Sequence, residues 1–234
     1  MRSLFSLLIV VFLAQGCATA DRSKEAATVW RFDRLEKVGG EVTHIEGSPK
    51  IIATGAGAAI AFDGERDALF IDKHPLAGAE QWTIEAMIRP DGGAFEQRWM
   101  HLAEVDPKTG VETGTRFLFE IRVKDGRWYL DAFTTGDGYK TTLIEPAKTF
   151  ALGRWYRVAM RYDGTSFTSY VDGVVQSEAS IAFKAQGSGH SSIGTRINRV
   201  NYFHGAIYEA RFTARALAPS AFVPLPVGLN SLEK

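Results

Sequence analysis

Glu120 and Asp131 are the residues whose type and spacing first suggest chemistry. They flank Asp125-Gly126 inside FLFEIRVKDGRWYLDAF, residues 117–133. Asp-Gly between alternating runs signals a two-residue hairpin turn, because both central residues of a type I′ turn need positive φ. With that turn Lys124 faces Arg127, Val123 faces Trp128, Arg122 faces Tyr129 and Glu120 faces Asp131. Directly opposed residues hold their Cβ atoms about 5 Å apart, a separation that suits the acid and nucleophile of a retaining glycosidase. Arg116 and Arg122 flank Glu120 on the same face. Arginines hold a carboxyl pKa down, which makes a poor proton donor at neutral pH. The pair therefore reads first as two neutralised carboxylates and only second as catalytic.

The elements that carry these residues are strands. One face of the first hairpin holds Phe117, Phe119, Ile121, Val123, Trp128 and Leu130, a core face; the other holds Arg116, Glu120, Arg122, Tyr129 and Asp131, with Leu118 and Phe133. A second hairpin, WYRVAMRYDGTSFTSYV, reads the same way about Asp163-Gly164. Its apolar face carries Tyr156, Val158, Met160, Phe167 and Val171, and its other face Arg157, Arg161, Thr168 and Tyr170. Arg116, Arg122, Tyr129, Arg157 and Tyr170 are thus expected on one arginine- and tyrosine-bearing sheet face. Arginine there favours acidic ligands over neutral ones.

Around these hairpins the chain is a series of short β-forming runs. They are Val29–Phe32, Ala58–Phe62, Leu69–Ile71, Trp82–Arg89, Arg98–Val105, Thr115–Val123, Arg127–Thr134, Lys140–Ile144, Trp155–Tyr162, Ser166–Val171, Ser191–Ile193 and Gly205–Phe212. Glycine-bearing turns such as Asp63-Gly64 and Asp172-Gly173 separate them. The spacing predicts an all-β, two-sheet antiparallel sandwich of jelly-roll type in one domain over 29–222, with an extended, peripheral tail over 223–234. His101 lies in WMHLAEV, where alternation puts Trp99 and His101 on one face. Its bland reading is a partly buried histidine with a hydrogen-bonded ring.

Composition excludes several classes. The 234 residues carry 27 Lys+Arg and 27 Asp+Glu, a formal charge of +0, with no basic block of the kind a nucleic-acid binder shows. The single cysteine, Cys17, rules out an intrachain disulfide. Residues 1–16 read as an export signal, with Arg2 ahead of the apolar run Leu4–Ala14. Ala14-Gln15-Gly16-Cys17 resembles a lipobox, which makes Cys17 a lipidation site and residues 17–28 a tether. The alternative is cleavage after Ala20 at Ala18-Thr19-Ala20, giving a soluble periplasmic or secreted protein. No other stretch approaches the 18 apolar residues of a membrane-spanning helix. The expected address is the bacterial cell envelope, with the membrane engaged only through the N-terminal lipid.

FDGERDALFI, WTIEAMIRP, GRWYRVAMRYDGTSFTSYVDGV and IGTRINRVNYFHGAIYEARFTARALAPSAF, taken in this order from about residue 58 to 222, resemble the strands of bacterial laminin-G-like, concanavalin A-like domains. The resemblance implies two antiparallel sheets, one curved around a concave face, on a fold that hosts lectins, adhesion modules and glycosidases alike. It implies no required cofactor. It does raise one structural Ca²⁺, for which Asp63 and Glu209 are the matching positions. The E-x-D-x-x-E strand of glycosidases with this fold is absent. Arg116, Glu120 and Arg122 loosely resemble the Arg/Glu/Arg strand of jelly-roll polysaccharide lyases, with His101 as base and Tyr129 as acid, but the Gln-x-His strand of those enzymes is missing.

No cluster of histidines and cysteines has metal-ligand spacing. GAGAA at 55–59 lacks the Lys-Ser/Thr of a phosphate loop, and GSGHSSIG at 187–194 lacks the strand-to-helix context of a nucleophile elbow. Arg196–His204, with Asn198 and Tyr202, is polar, basic and aromatic and makes a candidate binding rim. The expected function is a cell-envelope module that binds carbohydrate or a protein partner through one sheet face and its rim loops. A glycoside hydrolase or polysaccharide lyase is the alternative.

Overall fold

The computed structural model describes residues 27–230. The export segment, Cys17 and nearly all of the tether lie outside them. Among the described residues no helix is long and apolar enough to cross a membrane. The strands are β1 (Thr28–Arg31), β2 (Lys37–Val38), β3 (Glu41–Glu46), β4 (Lys50–Thr54), β5 (Gly57–Asp63), β6 (Ala68–Ile71), β7 (Trp82–Pro90), β8 (Glu96–Val105), β9 (Glu112–Lys124), β10 (Arg127–Gly136), β11 (Tyr139–Ile144), β12 (Phe150–Ala151), β13 (Tyr156–Tyr162), β14 (Ser166–Val171), β15 (Val174–Ser180), β16 (Gly189–Ile193) and β17 (His204–Thr213).

They form two antiparallel sheets. The first runs β15-β14-β13-β7-β17-β5-β4, with β1 also paired to β17; the second runs β11-β10-β9-β8-β16-β6-β3-β2, with β12 beside β10. β5 and β1 share one edge of β17: Ile207 pairs with Ile60, while Ala210 pairs with Trp30. The predicted sandwich is what the chain adopts. Strands the sequence reading passed over are β2, β3, β4, β12 and β15. β3 and β4 lie towards sheet edges and bury little of either face, so they lack the apolar alternation that marks a strand.

The layer between the sheets is aromatic. Trp30, Trp82, Trp99, Trp128, Phe117, Phe119, Phe167 and Phe212 are all buried there. Trp82 meets Phe117 edge-on, with ring centroids 4.9 Å apart, a favoured quadrupole geometry.

The turn chemistry explains the registers. Asp125 and Gly126 both have positive φ, at 52° and 70°, and β9 pairs with β10 as predicted, Lys124 with Arg127 and Glu120 with Asp131. Asp163-Gly164 behaves differently. Tyr162 pairs with Phe167, so the turn is two residues longer, and Asp163 Oδ1 accepts the N–H groups of Thr165 and Ser166. The faces survive because the shift is even. In β8 the alternation fails: a bulge between Arg98 and Met100 turns Trp99 and Met100 both into the core. His101 is therefore on the opposite face from Trp99.

The tail is not peripheral. Leu217 N–H donates to Thr83 Oγ1, Val223 N–H to Glu85 Oε1 at 2.7 Å, and Arg157 Nη1 to the carbonyl of Val223 at 2.9 Å. Phe222 packs on Tyr170 and Ala159, and Leu229 joins Met87, Trp155 and Tyr208. Gly55, in the β4–β5 turn, lies so close to Gly228 that a Cβ would sit 2.6 Å from its carbonyl. The folded unit thus continues past residue 222 to Leu229.

Candidate functional site

The two hairpins that were expected to share a face belong to different sheets. Arg116, Arg122 and Tyr129 lie on β9 and β10 of the second sheet, whereas Arg157 and Tyr170 lie on β13 and β14 of the first. The outer faces of a sandwich point in opposite directions, so these five residues cannot form one binding surface. Arg157 and Tyr170 are moreover under the C-terminal segment, with Arg157 donating to backbone carbonyls and Tyr170 buried against Phe222. Which hairpins share a sheet is a long-range property that local patterning does not carry.

On the second sheet the predicted carboxylate pair sits inside a larger cluster. The register aligns Glu96 with Arg122 and Arg98 with Glu120 across β8 and β9, and Glu120 with Asp131 across β9 and β10. Arg98 Nε pairs with Glu120, and Arg98 Nη1 lies 3.0 Å from Glu96. Arg122 reaches Asp131 through Nε at 2.7 Å and Nη2 at 2.6 Å, and also pairs with Glu96. Arg116, expected to neutralise Glu120, instead donates to the Gly114 carbonyl and lies over the Phe133 ring, 5.4 Å from its centroid. The bulge in β8 brings Arg98 into that place, and a bulge is not readable from alternation.

The acidity of the pair is also the reverse of the expectation. Burial, and then the Asp131 charge, push the Glu120 carboxyl up to about 7 against the pull of Arg98 and Arg122. Burial also raises Asp131. Glu120 and Asp131 are 3% and 0% exposed, so desolvation outweighs the arginines. Two arginines and three carboxylates leave one negative charge, and the raised Glu120 and Asp131 carboxyls take up a proton more readily than free ones, which relieves it. Asp131 is fully buried and committed to Arg122, so the pair has no open path to a glycosidic bond.

His101 is buried and neutral. Burial, and then Arg196, Arg116 and Arg98, push its pKa down to about 3. Its Nδ1 accepts the Ile197 N–H at 3.1 Å, so the proton is on Nε2, which finds no hydrogen-bond partner among the described residues. A ring protonated at Nε2 and capped at Nδ1 is not a base. Tyr129, also buried, is two strands and four residues away from it, about 16 Å by strand spacing and rise. The lyase pair is therefore not assembled.

The segment from Thr195 to Phe203 folds back over β8. Arg98 N–H donates to the Asn201 carbonyl, and Asn201 Nδ2 donates to Glu96. Arg199 and Asn201 both have φ of 60°, a left-handed conformation disfavoured for a bulky side chain. Arg199 is held by Glu46 and lies over Phe70, 4.7 Å from its centroid. Asn198 is exposed and Tyr202 partly so. The segment named as a candidate rim thus lies against β3, β6 and β8 of the second sheet. Arg196 was read only as the first residue of this rim, and Phe133 on β10, within reach of Arg116 and Lys140, only as an apolar residue of the hairpin's outer face. The aromatic character of Phe133 beside Arg116 in the hairpin register was the available signal.

Asp63 and Glu209 do not meet. Asp63 pairs with His204 at the start of β17, five residues before Glu209, about 16 Å along a strand. Asp63 Oδ1 accepts the N–H groups of Glu65, Arg66 and Asp67, the work of a turn former. Glu209 lies between Arg31, at 2.7 Å, and Arg211. A carboxylate between two guanidiniums does not fit a cation, and no group of three candidate ligands occurs among the described residues. These residues do not fit the calcium ion the resemblance implied.

Two antiparallel sheets, a continuous aromatic layer and polar outer faces define a jelly-roll sandwich of the lectin type. A family model for the concanavalin A-like lectin/glucanases superfamily, of laminin G type, matches residues 63–221, and the chain belongs to that family. No curated protein matches it in sequence. Among solved structures it is similar to domain 4 of AbnA, a GH43 extracellular arabinanase from Geobacillus stearothermophilus, in complex with arabinotriose. The TM-score is 0.63 and the identity 16%, over 84% of this chain and 96% of that one. It is also similar to the binding domain of Paraclostridial Mosquitocidal Protein 1 (0.62, 13%, 83% and 50%) and to the receptor-binding domain of botulinum neurotoxin D (0.60, 10%, 85% and 51%). The chain spans about half the length of these two toxin domains. At such identities the likeness is one of fold.

Proposed function

We propose that this protein is an exported cell-envelope binding module that recognises carbohydrate through the outer face of its second sheet and the rim at Thr195–Phe203. One observation carries the reading. The C-terminal segment covers the first sheet, while the second presents the half-buried Phe133 ring with Arg116 and Lys140 beside it. Aromatic rings and fixed polar groups are what a sugar face stacks on and hydrogen-bonds to. The arabinotriose bound to the AbnA domain supports carbohydrate as the class to try first. The buried Glu120–Asp131 pair and the capped His101 argue for binding rather than hydrolysis or elimination.

Export and attachment through a lipid on Cys17 complete the proposal. Affinity electrophoresis of the full chain against plant, algal and bacterial-envelope polysaccharides tests the ligand class, with Phe133→Ala as the variant. Retardation by at least one polymer, lost in the variant, is expected. No retardation by any polymer, together with capture of a single envelope protein, would overturn the carbohydrate reading. The mass of the mature N-terminus tests Cys17 separately.

A further inference from the structure

We infer that the outer face of the second sheet contains an anion subsite, formed by Arg116, Arg196 and the Nε2–H of His101, that takes the carboxylate of a uronate in an acidic polysaccharide; this rests on the proposal that the face binds carbohydrate. The register places Arg116 opposite Ala103, a small residue two positions from His101 on the same face. The Ile197 N–H bonded to His101 Nδ1 brings the rim over that spot. Three donor groups are thereby gathered from β9, β8 and the rim.

None of the three is satisfied as its neighbours are. The arginines of the neighbouring cluster and rim have carboxylate partners: Arg98 has Glu96 and Glu120, Arg122 has Asp131 and Glu96, and Arg199 has Glu46, while Arg127 at the far end of β10 is held by Thr149. Arg116 and Arg196 have no ion pair among the described residues. Arg116 holds only the Gly114 carbonyl, and its buried Nε has no partner. His101, 1% exposed, keeps an unpartnered Nε2–H.

The charges that face Arg116 are Arg196, then Glu112 and Glu120, with the carboxylates acting more weakly than Arg196. Burial, and then the charge of Arg196, lower the Arg116 guanidinium, and two guanidiniums without a carboxylate partner beside a buried neutral imidazole are a site short of negative charge. A carboxylate supplies it in the planar, two-oxygen form that guanidinium groups match. Phe133, under Arg116, offers the attached sugar ring an apolar surface.

Titration calorimetry of the full chain with polygalacturonate and alginate, each beside its carboxyl-reduced form, tests the subsite. The expected result is binding of a polyuronate, with its reduced form at least about tenfold weaker. Arg196→Ala should cost a similar factor, the scale of one charged hydrogen bond. The Arg196 side chain makes no hydrogen bond or ion pair among the described residues, so loss there is not a folding failure. Lys50→Ala, on the exposed β4 of the other sheet, should leave affinity unchanged. Equal binding of a polymer and its reduced form overturns the subsite and leaves carbohydrate binding standing. So does binding of neutral polysaccharides alone. Binding of dextran sulfate with equal affinity, weakened equally by Lys50→Ala, overturns it in favour of diffuse charge attraction. No binding to any polysaccharide overturns both readings.

Discussion

The two outer faces of the sandwich solve the same problem in different ways. On the first sheet Arg31 and Arg211 share Glu209, Glu85 accepts the Val223 N–H, Arg157 donates to the C-terminal backbone, and Phe222 and Leu229 seal the apolar positions. On the second sheet Arg98 and Arg122 pair with Glu96, Glu120 and Asp131, while Arg116 and Arg196 have no ion pair among the described residues. Because the sheets have nearly the same strand chemistry, the contrast identifies the uncovered face as the one with unspent interactions. A covered face stabilises the fold; a face short of a partner is a place for a ligand.

The contrast breaks if the C-terminal segment is a removable cover rather than part of the fold. Deleting residues 217–234 would expose Tyr170, Ala159, Met87 and Tyr208 and remove the backbone partners of Glu85 and Arg157. Burying each large apolar side chain is worth about 1.5–3 kcal/mol, so the expected loss is about 6 kcal/mol or more. That is at least about 12 °C in Tm for a domain of this size. A truncated chain that melts with the full protein would make the first sheet a second candidate binding face.

Next in size is Arg122→Ala. It strands Asp131, fully buried, and leaves Glu96 with Arg98 alone as its ion-pair partner. Breaking one partner of a buried ion pair costs about 3–5 kcal/mol. Chemical denaturation should show that loss at unchanged m-value. A change below about 1 kcal/mol would mean that Asp131 is held by something other than Arg122.

These two variants also mark where the sequence was legible. The β9–β10 register could be read in advance because Asp125-Gly126 admits only one short turn, and a register fixes every pair along it. The face partners of Glu120 could not. Arg98 reaches it from β8, beside a bulge, and the rim that bonds His101 returns from nearly a hundred residues further along the chain. The C-terminal cover was missed for another reason. It is an irregular segment with only single turns of helix at Pro219–Ala221 and Val227–Asn230, held by side chains rather than by a strand, so it has no period to detect. Local chemistry was visible, and partners across the sandwich were not.

A smaller effect concerns the raised Glu120 carboxyl. Glu120 has an ordinary pKa of 4.5 and is raised to about 7 in the fold, so the folded state binds the proton more tightly than the unfolded state. That contribution is present below 4.5 and is lost as pH rises through about 7, at about 1.4 kcal/mol per pH unit. His74 and His101, both lowered by burial, act in the opposite sense below 6.5, so the wild-type profile alone does not isolate the effect. The difference between Glu120→Gln and wild type does. The variant should gain relative stability steadily from pH 5 to pH 7 and then level off. A difference that is flat across that window would mean Glu120 is ionised throughout.

The smallest expected effect separates the two faces most sharply. Arg196→Ala removes a cation that acts on another cation, Arg116, and has no ion pair among the described residues. Nothing in the fold depends on its side chain for a hydrogen bond, so the loss of stability should be nil. Relief of its repulsion with Arg116 should, if anything, raise stability by a few tenths of a kcal/mol, within the usual range of a surface substitution. The gain should shrink as salt screens the pair over about 8–10 Å. Arg157→Ala, the arginine under the C-terminal segment, should instead cost about 1–3 kcal/mol, because it leaves two carbonyls without their donor. Equal losses from the two arginines would erase the distinction between a face held together by its charges and a face that keeps charge in reserve.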